Sequence, residues 1–416
     1  MQTDTCDVLI VGAGAAGSVA ALTALQAGLD VIVVEKEPTP GRHTQTKIDL
    51  TDGLDLGPIL DELDLPVIDR SHRSRWFSPR HVLDYTSGIP SLYVKRGCDP
   101  DSFETRMAAR LQDAGIRMLT GATPIRFKRG DNGRVQTVFV RRGTETRAIA
   151  PSCVIGADGA DSTVRALSGL SPGDQVFGAF HAYGVYGTDF AIPPGEPYIF
   201  FHRDMAPGGY VFAGRSRNNE CVLGVGFDPC MEKRTGKDCF AAATSHPHIG
   251  GILDGATIIN HFSGLGVYGS LTRRATANVL LAGDAGRLLD PLICFGLRQA
   301  ILSGYAAAVV CRESLAGASA RDPSQVYEDQ IADLVTINNL GLFLRKVYRT
   351  LGNRDMDTIV KILSDAQQDG LNLDHLFRNH NRILLRHILR HSGGCTRMAV
   401  KTMPYLVEYL LKVQHL

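Results

Sequence analysis

The chain has 416 residues, 44% of them hydrophobic, enough to bury a large core in two or three domains. Its formal net charge is +1, so no global field draws it to nucleic acid. Nine scattered cysteines without a CxxC pair argue against a disulfide scaffold or a zinc site and point to a reducing, cytoplasmic setting.

The first strand is expected to begin within seven residues of the start, which leaves no room for a leader. Residues 7–36, DVLIVGAGAAGSVAALTALQAGLDVIVVEK, read as strand, glycine turn, helix and second strand. The apolar run 8–11 suits a parallel strand covered on both faces. Gly12 makes the tight turn, Gly14 lets the backbone approach a pyrophosphate, and Gly17 lets the helix pack closely on the strand. Free N–H groups of the first helical turn, at Ala15 and Ala16, then face the phosphates. Glu35, followed by Lys36, ends the second strand about 20 residues on, where a carboxylate accepts from a ribose hydroxyl. A dinucleotide site follows from this arrangement.

Further along, 101–114 reads as a helix with Phe103, Met107 and Leu111 in register, and strands are expected near 117–120 and 135–141. CVIGADGADSTVR (153–165) is a strand, then Asp158 and Gly159 in a turn, with Ser162 and Arg165 opening a helix. From about 175 to 262 the pattern changes to short alternating segments punctuated by Gly and Pro, an antiparallel sheet. VLLAGDAGRLLDPLICFGL (279–297) is another apolar strand followed by Gly283, Asp284, Pro291 and Gly296. Asp284 stands at a strand end beside small residues, placed to hydrogen-bond a sugar-like chain. The helix that opens after Gly296 presents its positive end to charge on a ring. From 323 onward the chain is mainly helical.

The three segments GxGxxG, DG and GD, in that order, resemble those of the flavoprotein hydroxylase superfamily. The resemblance implies FAD, with Asp284 on the ribityl chain and the backbone N–H groups of Gly296 and Leu297 at the isoalloxazine edge. PGGYVFAGRSRNNECVLGVGF (207–227), GDAGRLLDPLICFGLRQAILSG (283–304) and YVKRGCDPDSFETRMAARLQDAG (93–115) narrow it further. They are similar to segments of the geranylgeranyl reductase family, over roughly residues 5–315. By that match Arg96 contacts the flavin nucleotide and Ala122 meets the adenine side through its backbone.

The implied activity is saturation of C=C bonds in polyprenyl chains by hydride from reduced FAD. The chain departs from the family in three places. GRHTQTKIDLTDGLDLG (41–57) lacks the CGEG segment; Cys294 and Phe295 replace Gly and Glu in the PxxGEG loop; and the PGGY strand keeps Tyr210 and Phe212 without the tryptophan or the FPK ending.

The expected architecture is α/β. A Rossmann-type FAD-binding domain (1–174 and 262–322) carries an inserted antiparallel-sheet substrate domain (175–261) and a C-terminal helical region (323–416). Tyr210, Phe212, Phe180 and Phe200 are candidate substrate-lining residues, with Phe177, Tyr183, Tyr186, Phe201 and Phe227 as further aromatics; each also reads as sheet core. Cys294 is the candidate proton donor, against a bound water or, less directly, His202 or His261. No second strand–GxGxxG–helix unit is expected, so electrons must come from an external donor: NAD(P)H, a deazaflavin or a redox protein.

Two other activities fit the same pattern, an FAD-dependent monooxygenase and a non-catalytic prenyl-binding carrier. A flavin halogenase would need a WxWxIP segment, which a chain with Trp76 as its single tryptophan lacks. No apolar run reaches the roughly 18–20 residues of a spanning helix, and PYLVEYLLKV is cut by Glu408. In the tail Arg382, Arg386 and Arg390 stripe one helix face, among seven cations that include Arg378, Arg397, Lys401 and Lys412. The stripe reads either as a face resting on the inner, anionic leaflet or as a solvated face packed on its own domain.

Overall fold

The computed structural model describes residues 3–318, 321–372, 374 and 382–413, the side chains of 382, 383 and 407–413 lying outside the described set. Arg378, and the side chains of Arg382, Glu408 and Lys412, therefore lie outside the described residues. Strand Thr3–Val11 runs through the centre of the first sheet, with Val8 opposite Val31 on one side and Cys153 on the other, both neighbours parallel. Strands Arg117–Thr120 and Val279–Leu281 extend the parallel set outward. The apolar run is continuous because both faces are covered: Leu9, Ile10 and Val33 are wholly buried.

Helix Ala15–Gln26 is buried at every position from Ala15 to Ala24, which is why it is built of small residues. It lies against helix Leu297–Leu315 so closely that a Cβ at Gly304 would stand 2.3 Å from the Ala16 carbonyl oxygen. The hairpin Ala122–Arg129 and Val135–Arg142 pairs with strand Glu145–Gly156 and contributes Val138 and Val140 to the core of the opposite face.

The second sheet is antiparallel except for one parallel pair, Tyr198–Phe200 on Asp69–Phe77. Strand Cys221–Phe227 falls where the alternating pattern predicts it and is buried along its whole length. The sheet is wider than the span 175–261 expected for it. Three of its eight strands, Lys47–Asp52, Asp69–Phe77 and Val82–Arg96, come from earlier in the chain, and Thr257–Leu271 runs past residue 262. Of these, Asp69–Phe77, DRSHRSRWF, is rich in charge and carries little apolar alternation, so only its pairing defines it.

The C-terminal region is helical, as expected. Helix Ala332–Thr350 does more than cover the sheets, because it grips the loop that follows the GD turn. Its Gly341 leaves 2.8 Å between a would-be Cβ and the Pro291 ring, and the Asn338 amide donates to the Arg287 carbonyl at 2.7 Å. Arg345 and Arg349 of the same helix reach the fully buried Asp228, at 3.3 and 2.6 Å.

Candidate functional site

A cavity of about 540 Å³ opens where the two sheets meet. The glycine turn contributes Gly12, Gly14, Ala15 and Ala16, and the second strand contributes Glu35 and Lys36. Arg96, Ala122 and Asp158 line it from three further segments, and Gly283, Asp284, Cys294, Gly296 and Leu297 close it. Phe180, Tyr210 and Phe212 face it from the second sheet. Segments almost 300 residues apart in the chain thus converge on one volume.

Three of the candidate site residues do not line the cavity. Gly17 sits behind the turn, where a Cβ would stand 1.9 Å from the Gly12 carbonyl oxygen, in keeping with its expected role in packing helix on strand. Pro291 is held against Gly341 of the C-terminal helix. Phe200 is corrected outright: strand alternation turns it into the core of the second sheet, 4% exposed and stacked on Phe77 at 4.5 Å. The further aromatics Phe177, Tyr183, Tyr186, Phe201 and Phe227 are also absent from the lining, as are His202 and His261.

The cavity walls are tied together by charge. Both oxygens of the Glu35 carboxylate accept backbone amides, from Ala13 at 2.7 Å and Glu37 at 2.9 Å, which fixes the group at the strand end with lone pairs to spare. Asp158 accepts from the Ser162 hydroxyl at 2.6 Å and the Val164 amide at 3.1 Å, so it shapes its own turn as well as facing the cavity. Arg165 donates to the Ala285 carbonyl at 2.7 Å, locking the DG and GD segments to each other. Arg96 spans Glu104 and Asp49 at 2.6 and 2.7 Å. Sequence reading missed the strand carrying Lys47, Asp49 and Thr51, and missed Phe262, Gly264 and Gly266, all of which line the cavity. The alternating KIDLTD segment (47–52) and the GLG triplet (264–266) were the signals available.

These residues fit FAD. A Cβ at Gly14 would meet nothing within 4 Å, and the residue lines the cavity, so the turn leaves room for a phosphate to approach. The amides of the first helical turn have no intrahelical partner and suit that anion. The Asp284 carboxylate accepts no hydrogen bond among the described residues, and burial raises its carboxyl from the ordinary carboxylate range against the pull of Arg96 and Arg287. A chain of sugar hydroxyls supplies what that carboxylate lacks. Beside it begins the 19-residue helix Leu297–Leu315, whose positive end faces the same space.

Cys294 adopts φ +58°, the left-handed region that glycine prefers, at the position where the resembling loop has glycine. Burial pushes its thiol well up, so it stays protonated at neutral pH; Arg345 opposes the rise.

Fold and cavity together define an FAD-dependent oxidoreductase, with FAD as its cofactor. A family model described as FAD dependent oxidoreductase matches residues 7–171. The resemblance drawn from the PGGY and GD segments is borne out by whole-chain relatives. The chain is 27% identical over 410 residues to the digeranylgeranylglycerophospholipid reductase of Methanosarcina mazei, covering 92% of this chain and 95% of that one. It is 26% identical over 397 residues to the enzyme of the same name from Thermoplasma acidophilum, covering 90% and 96%. Among solved structures its fold is similar to that of a geranylgeranyl bacteriochlorophyll reductase-like protein of Thermoplasma acidophilum. The TM-score is 0.74 at 20% identity, over 96% of this chain and 100% of that one.

Proposed function

We propose that this chain is a reductase that saturates carbon–carbon double bonds of polyprenyl lipid chains. One observation carries the reading: the wall of the FAD cavity opposite the cofactor segments is apolar and aromatic, made by Phe180, Tyr210, Phe212 and Phe262. Such a wall holds a hydrocarbon and keeps water from the reacting carbons. FAD, when bound and reduced, supplies the hydride. Tyr210 is fixed by donating to the Ile293 carbonyl, so the aromatic wall and the loop bearing Cys294 move as one. Cys294 is the proposed proton source, since the residue lines the cavity. The similarity to reductases over nine-tenths of the chain supports the substrate class.

The test uses FAD-loaded protein reduced with dithionite and given a geranylgeranyl lipid, with the product read by mass spectrometry. A gain of two hydrogens per bond is expected. Rapid oxygen consumption with an aromatic ligand and no lipid reduction would instead establish a hydroxylase. In the same assay Cys294→Ser is expected to lower turnover by roughly 100-fold, the scale of a lost general acid, with FAD content intact. Unchanged turnover would assign the proton to water.

No helix among the described residues is long and apolar enough to cross a membrane. We infer a surface association through the last two helices. Leu385 and Leu389 are 56% and 65% exposed on Arg382–Arg390, and Val400 and Met403 are exposed on Ser392–Val413. Arg386 and Arg390 flank the first of these patches, their charge partly shared with Asp369 at 3.9 and 4.0 Å. At ~1 kcal/mol per cation near an anionic surface, Arg386→Gln with Arg390→Gln should weaken vesicle binding by about tenfold once the sharing is counted. Flotation with phosphatidylglycerol vesicles measures it, and binding that ignores both salt and these substitutions would exclude the arginines.

A further inference from the structure

The aromatic wall of the flavin cavity is laid on glycines. On strand Cys221–Phe227 the side chains of Cys221, Leu223, Val225 and Phe227 enter the core on the far face of the second sheet, which leaves Gly224 and Gly226 on the face turned to the cavity. A Cβ at Gly224 would stand 2.4 Å from the Phe212 ring, and one at Gly226 would stand 2.1 Å from the Phe180 ring. Strand Asp174–Thr188 repeats the device, because a Cβ at Gly184 would stand 2.6 Å from the Phe262 ring. The three rings line the cavity and the glycines beneath them do not. Each ring therefore lies down across a bare strand instead of standing out into the open volume.

Between those rings the sheet is left open at one place. The pairing register sets Gly264 opposite Ala182, Ala182 opposite Gly226, and Gly226 opposite Tyr210. The adjoining row runs Phe262, Gly184, Gly224, Phe212, and its two rings fill it. Phe180, two residues before Ala182 on the same face, bounds the other side. Gly264 and Ala182 both line the cavity, and a Cβ at Gly264 would meet nothing within 4 Å. Gly264 lies inside strand Thr257–Leu271 without a positive φ, so neither its backbone nor a neighbour demands glycine there. What the missing Cβ leaves is a furrow as deep as a methyl group, walled by the Phe262 and Phe180 rings and opening at the edge strand of the sheet. The same cavity holds the Thr51 hydroxyl, 2% exposed and without a hydrogen-bond partner among the described residues, as a wall built around a guest would.

We propose that Gly264 is a specificity-determining residue: the furrow it floors receives the branch methyl groups of the hydrocarbon chain and selects a methyl-branched polyene over a linear one. This rests on the prenyl-lipid reading given above and adds which feature of the chain is recognised. In a prenyl chain each branch methyl is borne by an alkene carbon, so a seated methyl also fixes where the double bond stands. Gly264 does no chemistry; it sets the register of the chain in the cavity.

The test is titration of the FAD-loaded, full-length protein with geranylgeraniol and with arachidonyl alcohol, a linear polyunsaturated alcohol of the same carbon number, followed by flavin absorbance in wild type and Gly264→Ala. Wild type should bind geranylgeraniol at least about tenfold more tightly than the linear alcohol, the scale of one methyl group in an apolar pocket. The added methyl of Gly264→Ala takes the place of the branch, so the variant should bind geranylgeraniol at least about tenfold more weakly than wild type. Its affinity for arachidonyl alcohol and its FAD content should stay unchanged, and its melting temperature should not fall. Equal binding of the two alcohols by wild type, or undiminished binding of geranylgeraniol by the variant, would overturn the role of Gly264; reduction of geranylgeraniol in the dithionite assay would then leave the prenyl-lipid reading standing. Equal weakening of both alcohols in the variant would make the furrow a passage without selection, and loss of FAD would set Gly264 against the cofactor; either result is also against the proposal. Geranylgeraniol that is neither bound nor reduced by wild type would strike the substrate reading itself, and the inference with it.

Discussion

Gly14→Val should yield a protein that folds and purifies without yellow colour. Gly14 has φ −75° and ψ −170°, a conformation open to any residue, so valine costs no backbone strain. A Cβ there meets no protein atom within 4 Å, and the space it enters is the cavity. The isopropyl group would occupy volume needed by the pyrophosphate over the turn. A loss of FAD affinity of at least about 100-fold, near 2.8 kcal/mol, is expected. Flavin absorbance after desalting, set beside an unchanged circular dichroism spectrum, measures it. The neighbouring Gly12→Val supplies the contrast. Gly12 has φ +102°, and its Cβ would stand 2.2 Å from the Ala157 carbonyl oxygen, so that variant should fail to fold. Full flavin content in Gly14→Val would mean that the dinucleotide does not cross this turn.

Asp228→Asn should destabilise the chain by roughly 3–5 kcal/mol, the cost of leaving buried charge without its counter-charge. Asp228 is wholly buried, and Arg345 is 1% exposed. Between them stands Tyr268, which accepts from Arg349 at 2.7 Å. With the carboxylate neutralised, the buried Arg345 is left without its counter-charge, while Arg349, 28% exposed, keeps contact with water. The cluster joins the second sheet to helix Ala332–Thr350, the helix that grips Pro291, so flavin retention should fall together with the denaturation midpoint. Replacing the arginines as well, in Asp228→Asn/Arg345→Met/Arg349→Met, should recover much of the loss, since apolar residues of similar size tolerate the site. A loss below about 1 kcal/mol in Asp228→Asn would show that water reaches the cluster.

The cofactor half of the site was readable from the chain because its chemistry is local. A glycine turn between a strand and a helix creates free amides and close approach within a few residues, and Ser162 caps its helix by accepting from the Arg165 amide at 2.9 Å, three residues on. The substrate half was less legible. Tyr210 and Phe212 face the cavity while Phe200, on the neighbouring strand, does not, and aromatic spacing alone cannot choose the face when both sides of a sheet are covered. The early strands were missed because Asp69–Phe77, DRSHRSRWF, has a charged pattern whose strand character comes from pairing, with Val82–Arg96 next along the chain and with Tyr198–Phe200 more than 100 residues later.

By itself the sequence determined the parallel sheet, the three dinucleotide segments and the kinship with prenyl reductases. Each rests on short-range backbone geometry or on a contiguous motif. Only the tertiary structure decided which aromatics reach the cavity, that Arg345 stands over the Phe180 ring, and that Arg80 and Arg354 share a recess although 274 positions separate them. Those relations depend on how layers stack and which face of each layer is buried, and no spacing along a chain encodes that.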